Sequence, residues 1–412
     1  MTGVLADLGK RAVLASRVMA GSHPARKDDA LNRAAEILEL RAAEVLEANL
    51  ADVERASAGG ASETEIDRLG LSEDRVHKMA EGLRTVAGLP DPVGQVVDGA
   101  VRPNGLRVER VRVPLGVVGV IYENRPNVTS DSAGLCLKAG NAAMLRGSSS
   151  ALRSNRAVVA CVREALSKVG LPQDAAILVE QTDHESAVEF MQLEGILDCL
   201  VPRGGSSLLR TVRENATVPT VLDGDGNCHV YVDASADLEM ATEIVVNAKT
   251  SRPGVCNAAE TLLVHKDVAE RLLPALVSAM PEVQLLGDER TGELVEAAQA
   301  SEADYATEFL SLKMTVAVVD DIEHAIDHIA RYGSGHSEAI VTSDLWAAET
   351  FVQRVDAAAV VVNASTRFVD GGELGLGAEI GISTQKLHAR GPMGLEALTC
   401  VKYVIRGDGQ IR

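Results

Sequence analysis

Cys256 lies in a stretch of sequence where a thiol can meet a substrate. Residues 251–260 read Ser-Arg-Pro-Gly-Val-Cys-Asn-Ala-Ala-Glu. Apolar residues at helical spacing predict a helix over residues 238–249, and the apolar run over residues 260–265 predicts a buried strand. The loop between them makes Cys256 a candidate nucleophile, because loop side chains are accessible. This window alone, however, favours a cysteine packed as a small hydrophobic residue.

Two further segments have the composition of phosphate-binding loops. Residues 146–150 read Arg-Gly-Ser-Ser-Ser and residues 203–207 read Arg-Gly-Gly-Ser-Ser, each between a predicted strand and a predicted helix. Glycine allows close backbone approach, N–H groups at a helix start are donors, and arginine adds charge and a forked hydrogen bond. Each loop alone fits a solvated turn with serine caps equally well. Two such loops at one end of a sheet favour a dinucleotide, although no G-x-G-x-x-G follows a predicted strand.

A thiol and a dinucleotide together indicate one class of reaction. A thiolate that attacks an acyl carbon or an aldehyde forms a thioester or a thiohemiacetal, and a nicotinamide exchanges hydride with it. This chemistry needs donors for the oxyanion. The backbone N–H of Cys256 is one candidate, and the side-chain amide of Asn124, at the end of the predicted strand over residues 115–121, is the other.

Charge and composition exclude several classes of function. The net charge of -19 opposes binding to nucleic acid and to anionic membranes, and an aromatic content of 2% argues against stacking on bases. No pair of the six cysteines has C-x-x-C spacing, and the helical pair His324 and His328 lacks a third ligand, so we predict no metal site. Without an apolar signal segment or a long uncharged apolar run, the chain is predicted to be cytoplasmic.

The pattern of elements predicts an α/β protein. Residues 5–54 and 72–86 have helical periodicity. Between residues 115 and 232, apolar strands alternate with helices, which is typical of a parallel sheet covered on both faces. A second series of helices and strands begins after Asp233. Asn104-Gly105 predicts a β-hairpin, and residues 399–405 alternate like a strand that pairs either with this hairpin or with a neighbouring subunit.

Longer runs of sequence resemble the aldehyde dehydrogenase superfamily, and closely its gamma-glutamyl phosphate reductase branch. Residues 114–126, Pro-Leu-Gly-Val-Val-Gly-Val-Ile-Tyr-Glu-Asn-Arg-Pro, are similar to a superfamily segment that ends in Asn-Phe-Pro, which maps the oxyanion donor onto Asn124. Residues 138–148 are similar to the strand and turn that hold the adenosine ribose, with Arg146 where most members carry Lys. Further runs that match the branch are residues 256–264, 331–342, 362–368 and 388–395.

The resemblance implies a fold and its division. We expect an aldehyde dehydrogenase-like α/β fold with two Rossmann-like domains and a small β oligomerisation flap. The expected parts are an NADP-binding domain over residues 1–100 and 114–232, a catalytic domain over residues 233–385, and a flap of hairpin and C-terminal strand over residues 101–113 and 386–412.

The resemblance also implies the reaction, which is the NADPH-dependent reduction of L-glutamyl 5-phosphate to L-glutamate 5-semialdehyde and phosphate in proline biosynthesis. Cys256 would form the thioester and Asn124 would help to hold the oxyanion. The cofactor contacts would come from Arg146, Gly147, Ser148, Gly204, Gly205, Ser206 and Glu308. Basic residues proposed for the anionic groups of the substrate are Arg125, Arg252, His336 and Arg367.

One departure from the superfamily bears on the fate of the thioester. Oxidising members carry a glutamate two residues before a Gly-Gly, where it activates water, whereas this chain has Leu222 at the matching place. Phosphate rather than water is therefore expected to resolve the thioester. A coenzyme A-acylating enzyme would also lack that base. Intact Cys256, Asn124 and both phosphate loops argue against a non-catalytic scaffold, and a histidine-activated thiol hydrolase would not explain the dinucleotide loops. Preference for NADP over NAD stays open, although Arg146 beside the serines suits a 2′-phosphate.

The family implies a homodimer or a homotetramer, between which the sequence does not decide. A transient contact with glutamate 5-kinase would suit a labile acyl phosphate, but no residue pattern predicts it.

Overall fold

The computed structural model describes residues 3–412, and of Ser206 it describes the backbone alone. Helices make up most of the first ninety residues and then alternate with strands. Their bounds are α1 Val4–Ala20, α2 Pro24–Leu40, α3 Ala42–Ala58, α4 Glu63–Leu69, α5 Glu73–Gly88, α6 Pro126–Lys138, α7 Leu152–Lys168, α8 His184–Met191, α9 Ser206–Asn215, α10 Leu238–Thr250, α11 Lys266–Ala279, α12 Glu289–Gly292, α13 Glu302–Tyr305, α14 Ile322–Tyr332 and α15 Leu345–Arg354.

The strands form two parallel sheets, a small antiparallel sheet and a short two-stranded ladder. Their bounds are β1 Val96–Val101, β2 Arg107–Pro114, β3 Val117–Tyr122, β4 Ala142–Arg146, β5 Ala176–Leu178, β6 Cys199–Arg203, β7 Cys228–Val232, β8 Ala259–His265, β9 Gln284–Gly287, β10 Ala298–Gln299, β11 Lys313–Val319, β12 Ser337–Val341, β13 Ala359–Val362, β14 Ile382–Ser383, β15 Gly391–Pro392 and β16 Thr399–Arg406.

The chain divides into two compact units, which we call unit 1 and unit 2. Unit 1 contains the described residues up to Asp223 together with Gly375–Gly381 and Met393–Arg412. Its parallel sheet has the order β5-β4-β3-β6. Every residue of β3 and β4 is buried, as expected for a sheet covered on both faces. Residues of α1, α8 and α9 pack with the strands in one apolar cluster, while α6 and α7 contact the sheet and are in turn covered by α2, α3 and α5.

Unit 2 comprises Gly224–Leu374 and Ile382–Pro392. Its seven strands are all parallel, in the order β10-β9-β11-β8-β7-β12-β13. Alternate residues of β7 enter different cores, because successive side chains of a strand point to opposite faces. Val230 and Val232 pack with α10 and α11, and Tyr231 packs with α14 and α15. The α/β fold class expected from the sequence is thus confirmed.

The predicted hairpin is present in unit 1. Strands β1 and β2 are antiparallel, and Gly105 in the turn has a φ of 86°, which favours glycine. Strand β16 pairs with β2, so the C-terminal strand joins the hairpin of its own chain. β1 begins at Val96, inside the segment that we expected to belong to the first domain, because its pairing partner extends to Val111.

The division between the units differs from the expected boundary at residues 232 and 233. Strand β7 lies between β8 and β12 in the sheet of unit 2, so residues 224–232 belong there and not to the first domain. Backbone pairing with two distant strands sets this membership, and no local pattern marks it. Over residues 3–412, no helix is both long and apolar enough to cross a membrane.

Candidate active site

The loop that carries Cys256 has the predicted setting in unit 2. Helix α10 ends at Thr250 and β8 begins at Ala259, so Cys256 lies on the connection between them. Its side chain is half-buried, and of the six cysteines only Cys400 is more exposed. Cys256 is thus accessible to a small molecule.

The backbone of Cys256 contacts the start of β7 and the residues just before it. The thiol of Cys228 donates a hydrogen bond to the carbonyl oxygen of Cys256, with an Sγ–O distance of 3.1 Å. Gly226 packs so closely on the same carbonyl that a Cβ there would overlap it. Adjacent strands cause this contact, since Cys228 of β7 pairs with Ala259 of β8. The position of the nucleophile therefore depends on residues that precede it by about thirty positions.

The region under the loop is buried. Burial raises the pKa of the Cys228 thiol well above its ordinary value, and Glu338 and Cys256 raise it further. His336 is fully buried; its Nδ1 lies 3.7 Å from the Cys228 sulfur and 2.7 Å from the Ser337 hydroxyl. The structure thus places His336 in contact with Cys228, and its contact with the substrate stays a prediction.

Glu308 lies on a second loop that is tied to this region. Its Oε1 accepts a hydrogen bond from the backbone N–H of Gly226 at 2.8 Å. Two residues later, the N–H of Leu310 donates to Glu260, whose carboxylate is 2.6 Å from the Lys249 ammonium. The predicted cofactor ligand is thus positioned by the segment that supports Cys256.

Arg367 lies close to the thiol in unit 2, and Arg252 lies close to Arg367. Arg367 is half-buried and its Nε donates to the Ser251 hydroxyl at 3.2 Å, while Arg252 is exposed. Burial lowers the pKa of Arg367 and the charge of Arg252 lowers it further, whereas Asp370 and Cys256 raise it. Arg367 therefore interacts electrostatically with both Arg252 and Cys256. Positive charge beside a thiol stabilises the thiolate and attracts anions.

Asn124 belongs to unit 1 and follows β3. Its φ of 31° is unusual for a residue with a side chain, although asparagine tolerates this region better than most. The side-chain Oδ1 accepts hydrogen bonds from the hydroxyls of Ser148, at 2.8 Å, and Ser150. Arg125, the next residue, is exposed and precedes α6.

The loop after β4 differs from the predicted phosphate cradle. The Arg146 guanidinium is buried and donates to the carbonyl of Asp183 at 2.7 Å, and burial lowers the pKa of Arg146. Gly147 leaves no space for a Cβ, which would overlap the amide of Asn155. Ser148 bonds to Asn124, as described above. Arg146 and Ser148 thus have hydrogen-bond partners within the protein, and Gly147 packs closely against Asn155.

The loop after β6 already binds an anionic oxygen. The backbone N–H of Gly205 donates to Oε2 of Glu123 at 2.9 Å, and a Cβ at Gly204 would lie 2.6 Å from the same oxygen. Ser206 begins α9, and its side chain lies outside what the structure describes. Helix starts attract anions. The predicted phosphate site is therefore able to bind a negatively charged oxygen, and Glu123 provides one.

Sequence reasoning missed four residues that contact the candidate residues within their own units, which are Glu123 and Ser150 in unit 1 and Gly226 and Cys228 in unit 2. Ser150 lies in a loop that composition had marked, but the other three act across sequence separations of 28 to 82 residues. The closely spaced Gly224 and Gly226 were the feature of the sequence that could have pointed to this segment. Among the residues that the structure describes, no group of three or more His, Cys, Asp or Glu side chains is arranged to hold a metal ion.

Comparisons with known proteins agree with this architecture. The model of the aldehyde dehydrogenase family matches residues 7–309. The gamma-glutamyl phosphate reductase of Moorella thermoacetica is 55% identical over 98% of this chain and 97% of its own, and that of Carboxydothermus hydrogenoformans is 54% identical over 98% and 99%. The crystal structure of gamma-glutamyl phosphate reductase from Thermotoga maritima superposes with a TM-score of 0.97 at 47% identity and covers 100% of both chains.

Proposed function

The chain belongs to the aldehyde dehydrogenase family and, within it, to the gamma-glutamyl phosphate reductases, and on this premise we propose that it reduces L-glutamyl 5-phosphate to L-glutamate 5-semialdehyde with NADPH. The observation that carries the proposal is the half-exposed thiol of Cys256, whose carbonyl is held by Cys228 while the thiol itself lies beside Arg367. The names of the relatives supply the substrate.

In the proposed mechanism, Cys256 acts as the nucleophile. Its thiolate attacks the 5-acyl carbon, a C–S bond forms, and phosphate leaves with the electron pair of the C–O bond. The N–H of Cys256 and the amide of Asn124 donate to the oxygen that becomes negatively charged. NADPH, when bound, supplies the hydride for reduction of the thioester. Collapse of the reduced adduct returns the thiolate of Cys256 and releases the aldehyde.

The loop after β6 is suited to hold the pyrophosphate of the dinucleotide. Its Gly205 N–H binds the carboxylate of Glu123, which supports an affinity for anionic oxygen. Gly204, Gly205 and the backbone of Ser206 would provide the donors once Glu123 has moved. Glu308 would hold the nicotinamide ribose. For Arg146 and Ser148 the internal partners described above favour structural roles over direct contacts with the cofactor.

We propose that phosphate, and not water, exchanges with the thioester. Leu222, at the place of the hydrolytic base, packs against the apolar cluster of unit 1, and the neighbouring Asp223 forms an ion pair with Arg203. Neither side chain is a ready general base. Arg367 and Arg252 would bind the phosphate and carboxylate groups of the substrate, and Arg125 is a further exposed candidate.

The three-stranded antiparallel sheet supports a homo-oligomer. Its exposed apolar side chains include Val101, Tyr403 and Ile405, each at least 60% exposed in the single chain. A surface of this kind on an edge sheet is typical of an interface between subunits. Light scattering would give the mass in solution, and a monomer would contradict this proposal.

The reverse reaction tests the proposed function. Purified protein is mixed with glutamate semialdehyde and NADP, and NADPH absorbance is followed with and without inorganic phosphate, with NAD in place of NADP, and with coenzyme A in place of phosphate. We expect NADPH formation that requires phosphate and is lost in Cys256→Ala. Turnover that requires coenzyme A would identify an acylating enzyme instead, and turnover without either acceptor would show that water resolves the thioester.

A further inference from the structure

Asn124 is held by an arrangement of hydroxyl groups that the proposed mechanism does not include. Ser148 and Ser150 both direct their hydroxyls to Oδ1 of Asn124, and their own oxygen atoms are 2.7 Å apart. The backbone N–H of Asn124 in turn points to the Ser148 oxygen at 3.3 Å. The amide oxygen, an atom that only accepts, thus has two donors, and a third contact fixes the turn on which the side chain stands.

We infer that Ser148 and Ser150 are positioning residues that orient the Asn124 amide as an oxyanion donor. With Oδ1 bound to two hydroxyls, the plane of the amide is fixed and its NH₂ group faces away from the serines. In the reversed orientation both N–H donors would serve the serines, and the oxygen would face the substrate, where it would repel a developing negative charge. The inference rests on the proposed function, because it assigns Asn124 the role of that donor.

The turn formed by residues 148–150 is itself held by hydrogen bonds from Arg55. Arg55 donates to the carbonyl oxygens of Ser149 and Ser150, at 2.6 Å and 3.3 Å, and bonds to Asp52 at 2.9 Å. Asp52 is fully buried and also accepts from the N–H and hydroxyl of Ser154. The hydroxyls therefore stand on a fixed backbone, which a positioning role requires, since a mobile donor would not fix the amide.

The held amide borders open space. Asn124 and Ser150 line a cavity of about 380 Å³ in unit 1, whose other walls come from the end of α3 and from α4. A small molecule can therefore enter the space beside this side chain. The same geometry argues against Ser148 as a main ligand of the 2′-phosphate, because its hydroxyl is already used within the turn.

A double-mutant cycle tests the inference. Ser148→Ala, Ser150→Ala and the double variant are each made in the wild type and in Asn124→Ala, and kcat and both KM values are measured for the same aldehyde. We expect each single change to lower kcat by about 2- to 10-fold, as for the loss of one hydrogen bond, and the double change to approach the effect of Asn124→Ala. In the Asn124→Ala background the serine changes should alter kcat by less than about 2-fold, because the group they orient is gone.

Three comparisons separate positioning from other roles. Ser150→Thr retains the hydroxyl and should restore most of kcat, and Ser167→Ala, on the exposed end of α7, should behave as the wild type. The KM for NADP should stay within about 2-fold throughout. Equal serine effects with and without the Asn124 amide would overturn the inference, and a raised KM for NADP with unchanged kcat would make Ser148 a cofactor ligand. The cycle holds for any aldehyde that the enzyme oxidises, so a failed phosphate requirement would reject the proposed function without deciding this question.

Discussion

The turn that carries Asn124 and the loop that carries Cys256 hold their functional groups in opposite ways. At Asn124 the side chain is bound directly, by hydroxyls on its Oδ1. At Cys256 the backbone is bound, by Cys228 on the carbonyl and by the close approach of Gly226. An amide donor must be oriented, because hydrogen bonds are directional. A thiolate must mainly be placed at the right distance and in a favourable charge environment. The difference therefore matches the role that we propose for each group.

Asn124→Asp should give the largest effect, because the carboxylate has the same size and still accepts from Ser148 and Ser150 but has no N–H to donate. A lost oxyanion donor costs about 10²- to 10³-fold in kcat. The KM for NADP should be unchanged, since it does not depend on this amide. A loss of less than about 5-fold in kcat would mean that Asn124 is not the donor.

Gly226→Ala should come next, because the added Cβ would overlap the carbonyl of Cys256 and force the loop to move. A displacement of about 1 Å at a catalytic group can cost about 100-fold in kcat. The matched control is Gly254→Ala on the loop itself, where the nearest atom, the Leu310 oxygen, would lie 3.7 Å away. Similar activity of the two variants would show that the backbone contact under Cys256 does not place the thiol.

Arg367→Gln should raise the KM for glutamate semialdehyde or for phosphate by about 10-fold, as expected for the loss of a charged hydrogen bond. The KM for NADP should change far less, because Arg367 lies in unit 2 and not in the loops after β4 and β6 that were predicted to bind phosphate. Arg252→Gln, at a more exposed position, should have a smaller effect in the same direction. Unchanged KM values for the substrates in Arg367→Gln would remove this residue from the binding site.

Glu123→Gln should tighten cofactor binding modestly. The glutamine still offers an oxygen to Gly205 but no longer places a negative charge at the start of α9. Charges at helix ends are worth about 2- to 5-fold in binding, so the KM for NADP should fall by that factor. Glu214→Gln, at the other end of the same helix, serves as the control. A raised KM for NADP would show that Glu123 supports the loop and does not compete with the cofactor.

The smallest effect concerns stability in the region that supports Cys256. His328 packs against Tyr305 and Tyr332, whose carbonyls hold Asn227 next to Gly226. Burial lowers the pKa of His328 to about 3, and the charges of His229, His324 and Arg331 contribute. Between pH 6.5 and pH 3 the unfolded chain thus binds a proton that the folded chain does not.

The free energy of unfolding should therefore decrease as the pH is lowered through that window, by up to about 1.4 kcal/mol per pH unit from this group. In His328→Gln the fall in Tm between pH 7.5 and pH 5 should be smaller than in the wild type. An equal fall in the two proteins would assign the acid sensitivity to other residues.

Local sequence patterns predicted most of the elements that carry the site. The strand predicted over residues 260–265 is β8, and the hairpin followed from Asn104-Gly105, because short-range backbone preferences decide such features. Helix α4 was missed, since seven residues are too few for a periodic pattern, although Ser62 and Glu65 form a capping box that marks its start.

The contacts within the site could not be predicted in the same way. Glu123 meets Gly205 because β3 lies next to β6, and Cys228 meets Cys256 because β7 lies next to β8. Strand order is a tertiary property, and one sequence without relatives does not reveal it. The burial of His336 could not be predicted for the same reason, since its run of sequence suggested a function but gave no measure of burial.

The central claim is a thioester on Cys256 that phosphate, and not water, resolves. The most direct measurement is mass spectrometry of the protein after a single turnover with glutamate semialdehyde and NADP in the absence of phosphate. The account predicts one acyl group per chain, mapped to the peptide that contains Cys256, stable in buffer and lost within the mixing time when phosphate is added. An acyl group on another residue, or its release at the same rate without phosphate, would contradict the account.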